Sequence, residues 1–505
     1  MLRFGRFSRS RRAPGRRRAA LPGLLFLVCV GLWGLAADAA DHEAGGAPVR
    51  SLSLAECILL AVQNNRDLAA GSLDRLAQKL SLQDAEDVFL PAPAVDLSLS
   101  RDSAASPDGR ETVATLGVSP RVTLRLPAGG RLDLSATSSV TNRDDASQFV
   151  TLEFAQPLLR GAGTAVGTAG VVTARRTERI GFLAFKSAVI EVVTRTIFAY
   201  RNVVRTVRGV EIAERSLQRA RDLLEVNRIL IETGRMAQQD IIQTEASVAQ
   251  RELSLTEARG ALDSARLVLI DILDVDGRSR ILTRETMRVD PARHDVQQAV
   301  AAALRNRPDH QQALLGIANA RTALLVADNA RQWELNLSAA ATLGHRARTF
   351  GDAWRRFDED DAVGLSLNVP LGVNRAADRR AHRRAMIALR QAEIRLAELR
   401  QAIDVEVRGA VRDVEVHLRR TVLARQAREL AERKLEIERL KLNAGLSSNF
   451  RLVRFEDDLV RSQSSEVSAV HAYLNALTAL DRAQGTTLDT WDIEIDAAAD
   501  GSTTP

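Results

Sequence analysis

The chain has 505 residues, and its formal net charge of +6 could indicate a nucleic-acid partner. The charge is confined to the start of the chain, because residues 1–40 contain eight Arg, no Lys and one acid, Asp38. This segment carries a net +7, which leaves −1 for everything after it. The charge pattern therefore argues against a nucleic-acid partner.

The first 40 residues have the three parts of a secretory signal peptide. An Arg-rich stretch comes first, an apolar run spans 24–37, and small residues follow. An N-terminal membrane anchor is the alternative, but the apolar run is shorter than the ~20 residues that a spanning helix needs. We predict cleavage near Ala39 or Ala40. Cys57 is then the only remaining cysteine, so no intramolecular disulfide is expected.

After this segment the same order of motifs occurs twice, which indicates a tandem duplication. Residues 61–67 recur as 303–309 with an offset of 242, whereas the offset is 213 between Pro157 and Pro370. The first copy is therefore 29 residues longer before its Pro. The resulting division is a signal peptide (1–40), a first repeat (41–290), a second repeat (291–485) and a polar C-terminal tail (486–505).

Each copy is predicted to begin with a helix, at about 54–88 and 296–330, followed by runs in which apolar and polar residues alternate. The insertion in the first copy carries such runs on both sides of Gly129-Gly130, which predicts an additional strand hairpin. One apolar and one small polar face suit a wall between lipid and water, and the half-buried sheet of a soluble protein is the alternative. The clearest alternating run predicts an outward face made of Val363, Leu365, Leu367 and Val369.

Long tracts without Pro follow, from about 172 to 288 and from 376 to 485, and they are rich in strong helix formers. Gly234 and Gly445 interrupt the two tracts and are predicted chain reversals. Each tract is therefore predicted to be a helical hairpin with arms of roughly 40–60 residues. Apolar residues three or four apart predict a coiled-coil-like seam at Leu396, Leu399, Ile403, Val407, Val411, Val414 and Leu418.

Together these motifs resemble the TolC-like outer membrane efflux proteins. The resemblance covers about 54–485 and rests on the opening Leu-x-x-Ala/Cys-x-x-x-Ala-x-x-Asn motif, whose last residue is Asn64 or Asn306, and on the Phe89-Leu90-Pro91 exit into the first strand. It also rests on the QPLLRG turn at 156–161 and on the glycine of each hairpin. It implies a mixed α and β membrane protein and a homotrimer. Long helical hairpins would form a periplasmic α-barrel, and the strands of three chains would form an outer-membrane β-barrel of about 12 strands, four from each chain.

The same resemblance implies a passive export duct in the outer membrane, with neither enzymatic activity nor a cofactor. Such a channel docks to a periplasmic adaptor and an inner-membrane transporter, in a tripartite efflux or a type I secretion system. It also implies strand-to-helix turns at Pro157, Gly161 and Pro370. The candidate gate residues at the periplasmic tip are Gly234, Asp240, Gly445, Ser447, Arg451 and Arg454.

The gate departs from the family pattern. Family members often carry acids six and nine positions after the second hairpin glycine, where this chain has Arg451 and Arg454. Ser447 stands where an arginine partner of Asp240 is expected. Three chains would bring six cations together, for which Asp240 and the acids at 456–458 are the predicted partners. The alternative is that both arginines face outward into solvent.

No catalytic or metal-binding pattern is found, since the seven His lack paired spacing. Gly161-Ala162-Gly163 looks like part of a phosphate loop but lacks the required spacing, so we predict a turn. The acidic run 358–361 is interpreted as a solvated loop, with a calcium site as the alternative.

Two other functional classes stay open. A periplasmic adaptor protein also follows a signal peptide and has a long helical hairpin, although only one. A soluble coiled-coil scaffold would need neither a signal peptide nor strands with a lipid-facing side. The sequence does not distinguish drug efflux, metal efflux and protein secretion.

Overall fold

The structure is a computed structural model that describes residues 2–3, 49–106, 109–143, 145–234, 237–276, 280–284, 287–357, 359–371, 375–444 and 446–495. The helices are α1 (Leu54–Asn64), α2 (Arg66–Asp87), α3 (Thr164–Gly167), α4 (Ala169–Glu232), α5 (Ile241–Leu273), α6 (Val296–Asn306), α7 (Pro308–Asn329), α8 (Phe350–Arg355), α9 (Ala376–Asn443), α10 (Asn449–Gln484) and α11 (Thr487–Thr490). The strands are β1 (Leu2–Arg3), β2 (Val49–Leu52), β3 (Ala92–Ser106), β4 (Gly109–Arg125), β5 (Arg131–Thr141), β6 (Ala146–Pro157), β7 (Arg280–Thr283), β8 (Asn336–Ala347), β9 (Ala362–Asn368) and β10 (Glu494–Ile495).

The helix predicted at the start of each copy is in fact two helices. Asn65 has an extended backbone, with φ −61° and ψ 124°, and its side chain accepts hydrogen bonds from the backbone N–H groups of Asp67 and Leu68. It therefore ends α1 and caps α2. Arg307 holds the same place between α6 and α7, where Pro308 occupies the first helical turn. The duplicated Asn motif marks this break in both copies.

The long helical tracts are hairpins, but their arms are unequal. Helices α4 and α9 have 64 and 68 residues, whereas their partners α5 and α10 have 33 and 36. The prediction of arms of roughly 40–60 residues was therefore wrong. The remaining length of α4 packs on α2, where Gly71 lies against the ring of Phe185. Helix α9 packs on α7 in the same way.

The first tract also ends earlier than predicted. Helix α5 stops at Leu273, because Asp274 adopts a left-handed backbone with φ 47°. The carboxylate of Asp274 accepts a hydrogen bond from Nε of Arg66 at 2.8 Å. Residues beyond it form β7, which pairs in parallel with β2. The sequence analysis extended this tract to about residue 288 because the stretch lacks Pro, and it therefore missed the end of α5.

The two largest of three apolar clusters among the described residues pack most of the helices together. The first joins α1, α4 and α5 around Ile58, Ile197 and Leu269, each at most 1% exposed. The second contains the predicted seam, in which Ile403, Val407, Val411 and Val414 are buried against α10. Leu396 is buried as well, and Leu399 and Leu418 are partly buried, so the seam is confirmed.

The C-terminal segment differs from the predicted polar tail as far as Ile495. Thr487, in α11, and Leu488 are buried, and Leu488 and Ile493 belong to the first cluster. Trp491 packs against the same cluster. These residues therefore contribute to the core, because helix α10 delivers them beside α4 and α5.

The six strands from β3 to β9, apart from β7, form one sheet in the order β3-β4-β5-β6-β8-β9. All neighbours are antiparallel. The hairpin predicted at Gly129-Gly130 is confirmed as the β4–β5 turn. Three hairpins thus lie side by side, and β8 and β9 of the second half continue the sheet that β3–β6 of the first half begin.

Candidate membrane face and helical tip

Strand register places most of the large apolar residues of the six strands on one side of the sheet, here called the apolar face. One row across the sheet runs through Val122, Leu134, Leu152, Ala341 and Val363. The next row contains Leu124, Leu132, Phe154, Ala339 and Leu365. Because side chains alternate along a strand, a one-residue slip in any pair would have broken both rows.

The apolar face is largely uncovered in the single chain, except near the start of β6, where Ala146 is buried. Leu97 and Leu99 on β3 are 76% and 82% exposed, and Val363 and Leu365 on β9 are 88% and 76% exposed. Val369, just beyond β9, is 45% exposed. A soluble monomer rarely leaves so large a continuous apolar patch open to water. The sheet therefore needs an apolar environment on this side.

The opposite side of the sheet is polar. The hydroxyl of Thr123 donates to the carboxylate of Asp133 at 2.6 Å, and Arg131 makes an ion pair with the same carboxylate. Arg121 lies 3.4 Å from Asp96 on the neighbouring strand. Charged groups that pair across strands suit a hydrated surface. The sheet thus separates an apolar side from a polar one.

The predicted turn after β6 is built from glycines with positive φ. Pro157 is the last residue of β6, and Gly161 and Gly163 have φ angles of 85° and 93°. Gly129, at φ 90° in the β4–β5 turn, lies so close that an added Cβ would be 2.1 Å from the carbonyl oxygen of Gly161. The two turns therefore pack backbone on backbone, which only glycine allows here.

Backbone donors in this turn are already used. The side-chain oxygen of Asn329 accepts from the N–H of Gly161 at 2.7 Å, and the carbonyl of Ala128 accepts from the N–H of Gly163 at 3.0 Å. A phosphate cradle needs such N–H groups to be free. The interpretation as a turn is therefore correct. Sequence reasoning missed Asn329, because it ends α7, far from the glycines along the chain.

Pro370 lies between the end of β9 at Asn368 and the start of α9, and it is exposed. The guanidinium of Arg375, at the N-cap of α9, stacks 3.7 Å from the ring centre of Trp333 and donates to the carbonyl of Arg331. This contact ties the second strand-to-helix connection to the segment before β8. Pro370 lies in this connection but takes no part in the contact between Arg375 and Trp333.

The helical tip is the end of the two hairpins farthest from the sheet. Gly234 follows α4 with φ 69° and lies at the predicted chain reversal, whereas Gly445 is outside the described residues. Asp240 ends a 3-10 turn over Gln238–Asp240, and its side chain is also outside the described part. The hydroxyl of Ser447 donates to the carboxylate of Glu438, which is 4% exposed.

The predicted acidic partners of Arg451 and Arg454 are engaged elsewhere. Both arginines are exposed, and none of the ion pairs among described residues includes them. Asp457 binds Arg251, and Asp458 contacts Lys434 and Arg461. Within one chain these acids therefore do not pair with the two arginines, and their pairing where three chains meet stays a prediction.

Glu456 instead joins the two hairpins. Its carboxylate accepts a hydrogen bond from Arg219 of α4 at 2.6 Å and another from Arg439 of α9 at 2.7 Å. The Glu456 side chain is only 11% exposed, and that of Arg219 is 20% exposed. Charge-assisted hydrogen bonds of this length are the strong ones. Sequence reasoning missed this contact, since nothing in the pattern links positions 237 residues apart.

A buried chain of side-chain hydrogen bonds lies next to this contact. Asn227 of α4 donates to Thr244 of α5 at 2.7 Å and accepts from Asn449 of α10 at 3.0 Å. Asn227 is 0% exposed and Thr244 is 1% exposed. These bonds fix the position of α10 relative to the first hairpin just below the tip.

Farther from the tip, α10 carries the histidine His471 in a half-buried position. Burial, together with the charges of Arg205 and Arg201, lowers the pKa of His471 to about 4. The side chain is therefore neutral near pH 7. Its Nε2 lies 3.2 Å from the amide nitrogen of Asn475, one turn away on the same helix.

Acids of the β8–β9 loop bind strand residues. Asp360 lies 2.9 Å from Nδ1 of His345 and accepts from the backbone N–H of Arg346, while Asp358 is outside the described residues. In the described ranges, no group of three His, Cys, Asp or Glu side chains could hold a metal ion. Over the same ranges, no helix combines the length and the apolarity needed to cross a membrane.

Comparison with protein-family models and with curated proteins finds no match. Comparison with solved structures finds the CmeC outer membrane channel of Campylobacter jejuni, at 14% identity and a TM-score of 0.66, covering 86% of each chain. It also finds VceC of Vibrio cholerae, an outer membrane protein, at 16% identity and a TM-score of 0.65, covering 86% of this chain and 96% of that one.

The MtrE outer membrane channel of Neisseria gonorrhoeae, in its open state, is similar as well. Its identity is 15%, its TM-score is 0.66, and the match covers 86% of this chain and 89% of that chain. At such identities the likeness shows a shared fold. The chain therefore has the fold of the TolC-like outer membrane channels, which confirms the resemblance seen in its motifs.

Proposed function

We propose that this protein is a passive export channel of the outer membrane. The observation that carries the proposal is the exposed apolar face, which extends across six strands at one end of the molecule. Five of the six strands have 11 to 17 residues, which meets the roughly 9–11 residues that cross an outer membrane at a tilt, and β9 has 7. Lipid would cover the apolar face, and water would meet the polar side.

The helices support the second part of the proposal, a periplasmic tunnel. Helix α4 starts just after the sheet and has 64 residues, which corresponds to about 96 Å at 1.5 Å per residue. In three copies, the hairpins of this chain would form an α-barrel that continues the β-barrel. The tip would then dock to a periplasmic adaptor and an inner-membrane transporter, as in tripartite efflux or type I secretion.

Two features disfavour the other functional classes. A periplasmic adaptor has one helical hairpin, whereas this chain has two, α4–α5 and α9–α10. A soluble scaffold would gain nothing from the uncovered apolar face, which would promote aggregation in water. The division into a signal peptide (1–40), two repeats (41–290 and 291–485) and a C-terminal segment stays part of the proposal.

The proposal is tested by placing a charge on each side of β9. Leu365→Arg puts a charge on the apolar face and should cost about 2–4 kcal/mol if the residue lies near the middle of the bilayer. Ser366→Arg is the matched control, because it puts the same side chain on the polar side of the same strand. We expect Leu365→Arg to lower the amount of folded protein in the outer-membrane fraction several-fold, and Ser366→Arg to leave it near the unchanged level.

The unchanged protein should also produce ion-conducting channels when it is reconstituted into planar bilayers. Equal assembly of both variants would contradict the lipid-facing assignment. Recovery of the unchanged protein in the soluble periplasmic fraction, without detergent, would favour the adaptor instead.

A further inference from the structure

The sheet of this chain has two open edges of similar character. Among the described strands, β3 and β9 each have one neighbour, so each presents a row of free backbone N–H and C=O groups. Both carry exposed apolar residues on the same face, including Leu97 and Leu365 at 76% each. Open edges of this kind pair with another chain unless they are covered. Within lipid, every backbone group must find a partner.

Strand direction allows the two edges to pair with each other. Neighbouring strands in the sheet are all antiparallel, so in an even-numbered set of six the first and last strands run in opposite directions. Strand β9 of one copy can therefore join β3 of the next copy without breaking the alternation. Strand β9 has seven residues, so a shared seam runs about 24 Å along the strands, which at a tilt of about 40° spans about 18 Å of the roughly 25 Å apolar band.

The β3–β4 hairpin is part of the same continuous sheet as the other four strands. Strand β4 pairs with β3 along the full 15 residues of β3 and also pairs with β5 from Thr115 to Arg125. The β4–β5 turn is anchored to the strand-to-helix turn through the backbone contact between Gly129 and Gly161. The apolar face continues through Leu116 and Val122 onto β3. The backbone pairing, the contact between the two turns and the side-chain pattern all indicate that the six strands form one surface.

We infer that each chain contributes all six strands to the outer-membrane wall, and that three copies close through β9–β3 seams into a barrel of about 18 strands. The inference rests on the proposed trimeric channel. At a strand spacing of about 4.8 Å and a tilt of about 40°, the backbone radius is about 18 Å, against about 12 Å for 12 strands. The membrane pore is then wide enough for a water-filled lumen lined by the polar side of the sheet.

Disulfide trapping in native outer membranes tests which strands meet. The background is the double variant Cys29→Ala and Cys57→Ala, and each cysteine pair lies on the polar side, where an oxidant in water reaches it. The first panel joins β9 to β3, with one cysteine at Gly364 or Ser366 and the other at Ala94, Asp96 or Ser98. The second panel joins β9 to β5, with the same two β9 positions and Asp133, Ser135 or Thr137.

The third panel joins β3 to β6 within one chain, at Ser98 with Ser147 or Thr151, and detects a wall from which β4 and β5 are expelled. In the six-stranded sheet β3 and β6 are three spacings apart, about 14 Å, whereas a disulfide needs Cα atoms within about 7 Å. Within one chain β3 and β9 are five spacings apart, about 24 Å, so their disulfides can only be intermolecular. Single-cysteine variants are the controls.

We expect covalent trimers in at least one pair of the first panel and none in the second or third. A trimer that forms disulfides between β9 and β5, or between β3 and β6, would overturn the six-strand wall and leave the proposed channel intact. A detergent-solubilised protein with the mass of a monomer, and without intermolecular disulfides, would overturn the proposed trimeric channel and this inference with it.

Discussion

Glu456→Ala should loosen the joint between the two helical hairpins. The Glu456 carboxylate, 11% exposed, accepts from Arg219 at 2.6 Å and from Arg439 at 2.7 Å. Removing one partner of a buried pair costs about 3–5 kcal/mol, because the other charge is left without compensation. The Arg439 side chain is 47% exposed and recovers much of its hydration, so we expect about 2–4 kcal/mol per chain.

Denaturant unfolding of the detergent-solubilised protein, followed by far-ultraviolet circular dichroism, measures this free energy. Asp458→Ala is the matched control, since Asp458 lies on the same helix and its ion pairs with Lys434 and Arg461 are more exposed. Its expected cost is below about 1 kcal/mol. A double-mutant cycle with Arg219→Ala should give a coupling energy above about 1 kcal/mol.

The reasoning is refuted if Glu456→Ala costs no more than Asp458→Ala, or if the coupling energy with Arg219 is within about 0.5 kcal/mol of zero. Amide hydrogen exchange adds a local measurement. The first turns of α10 should exchange faster in Glu456→Ala, while the sheet should be unaffected, because α10 packs mainly on the helices α4 and α9.

Three further predictions concern the β4–β5 turn, helix α10 and the helical tip. Gly129→Ala should cost at least about 2 kcal/mol and reduce the assembled protein in the membrane fraction, because φ is 90° and the new Cβ would be 2.1 Å from the Gly161 carbonyl oxygen; unchanged assembly would contradict the packing of the two turns. His471 has a pKa of about 4 when folded and 6.5 in its reference state, so the unfolded chain takes up the proton first as pH falls through this window. Stability should then decrease between pH 6.5 and pH 4, by about 1–2 kcal/mol per chain after solvent screening of this half-buried group, and His471→Gln should flatten this part of a stability-against-pH curve. If Arg451 and Arg454 line the closed aperture, reconstituted channels in asymmetric salt should disfavour cations, and the double change to Ala should shift the reversal potential toward cation selectivity; clear cation selectivity that these changes leave unaltered would rule out a basic ring.

Part of this fold followed directly from local pattern. The period of two in β9 and the period near 3.6 in α9 distinguish strand from helix without any long-range information. The pair Gly129-Gly130 predicted the β4–β5 turn, because few other residues adopt the backbone that such a turn requires. The duplication made each landmark visible twice. Boundaries were less well predicted, as shown by the break at Asn65 and the end of α5 at Asp274.

The sequence alone determined the long helices and the sheet strands, their order, and which side of each strand is apolar, since these depend on residues within a few positions of one another. The tertiary structure decided the strand register that places Leu152 opposite Ala341 and the hydrogen bond from the N–H of Gly161 to Asn329. It also decided that Glu456 pairs with Arg219 and not with the arginines of the tip. The physical reason is that helical or strand period tells which way a side chain points, whereas its partner depends on how distant segments pack. An acid within reach of several arginines in sequence can satisfy only those that the packed helices bring within about 3 Å.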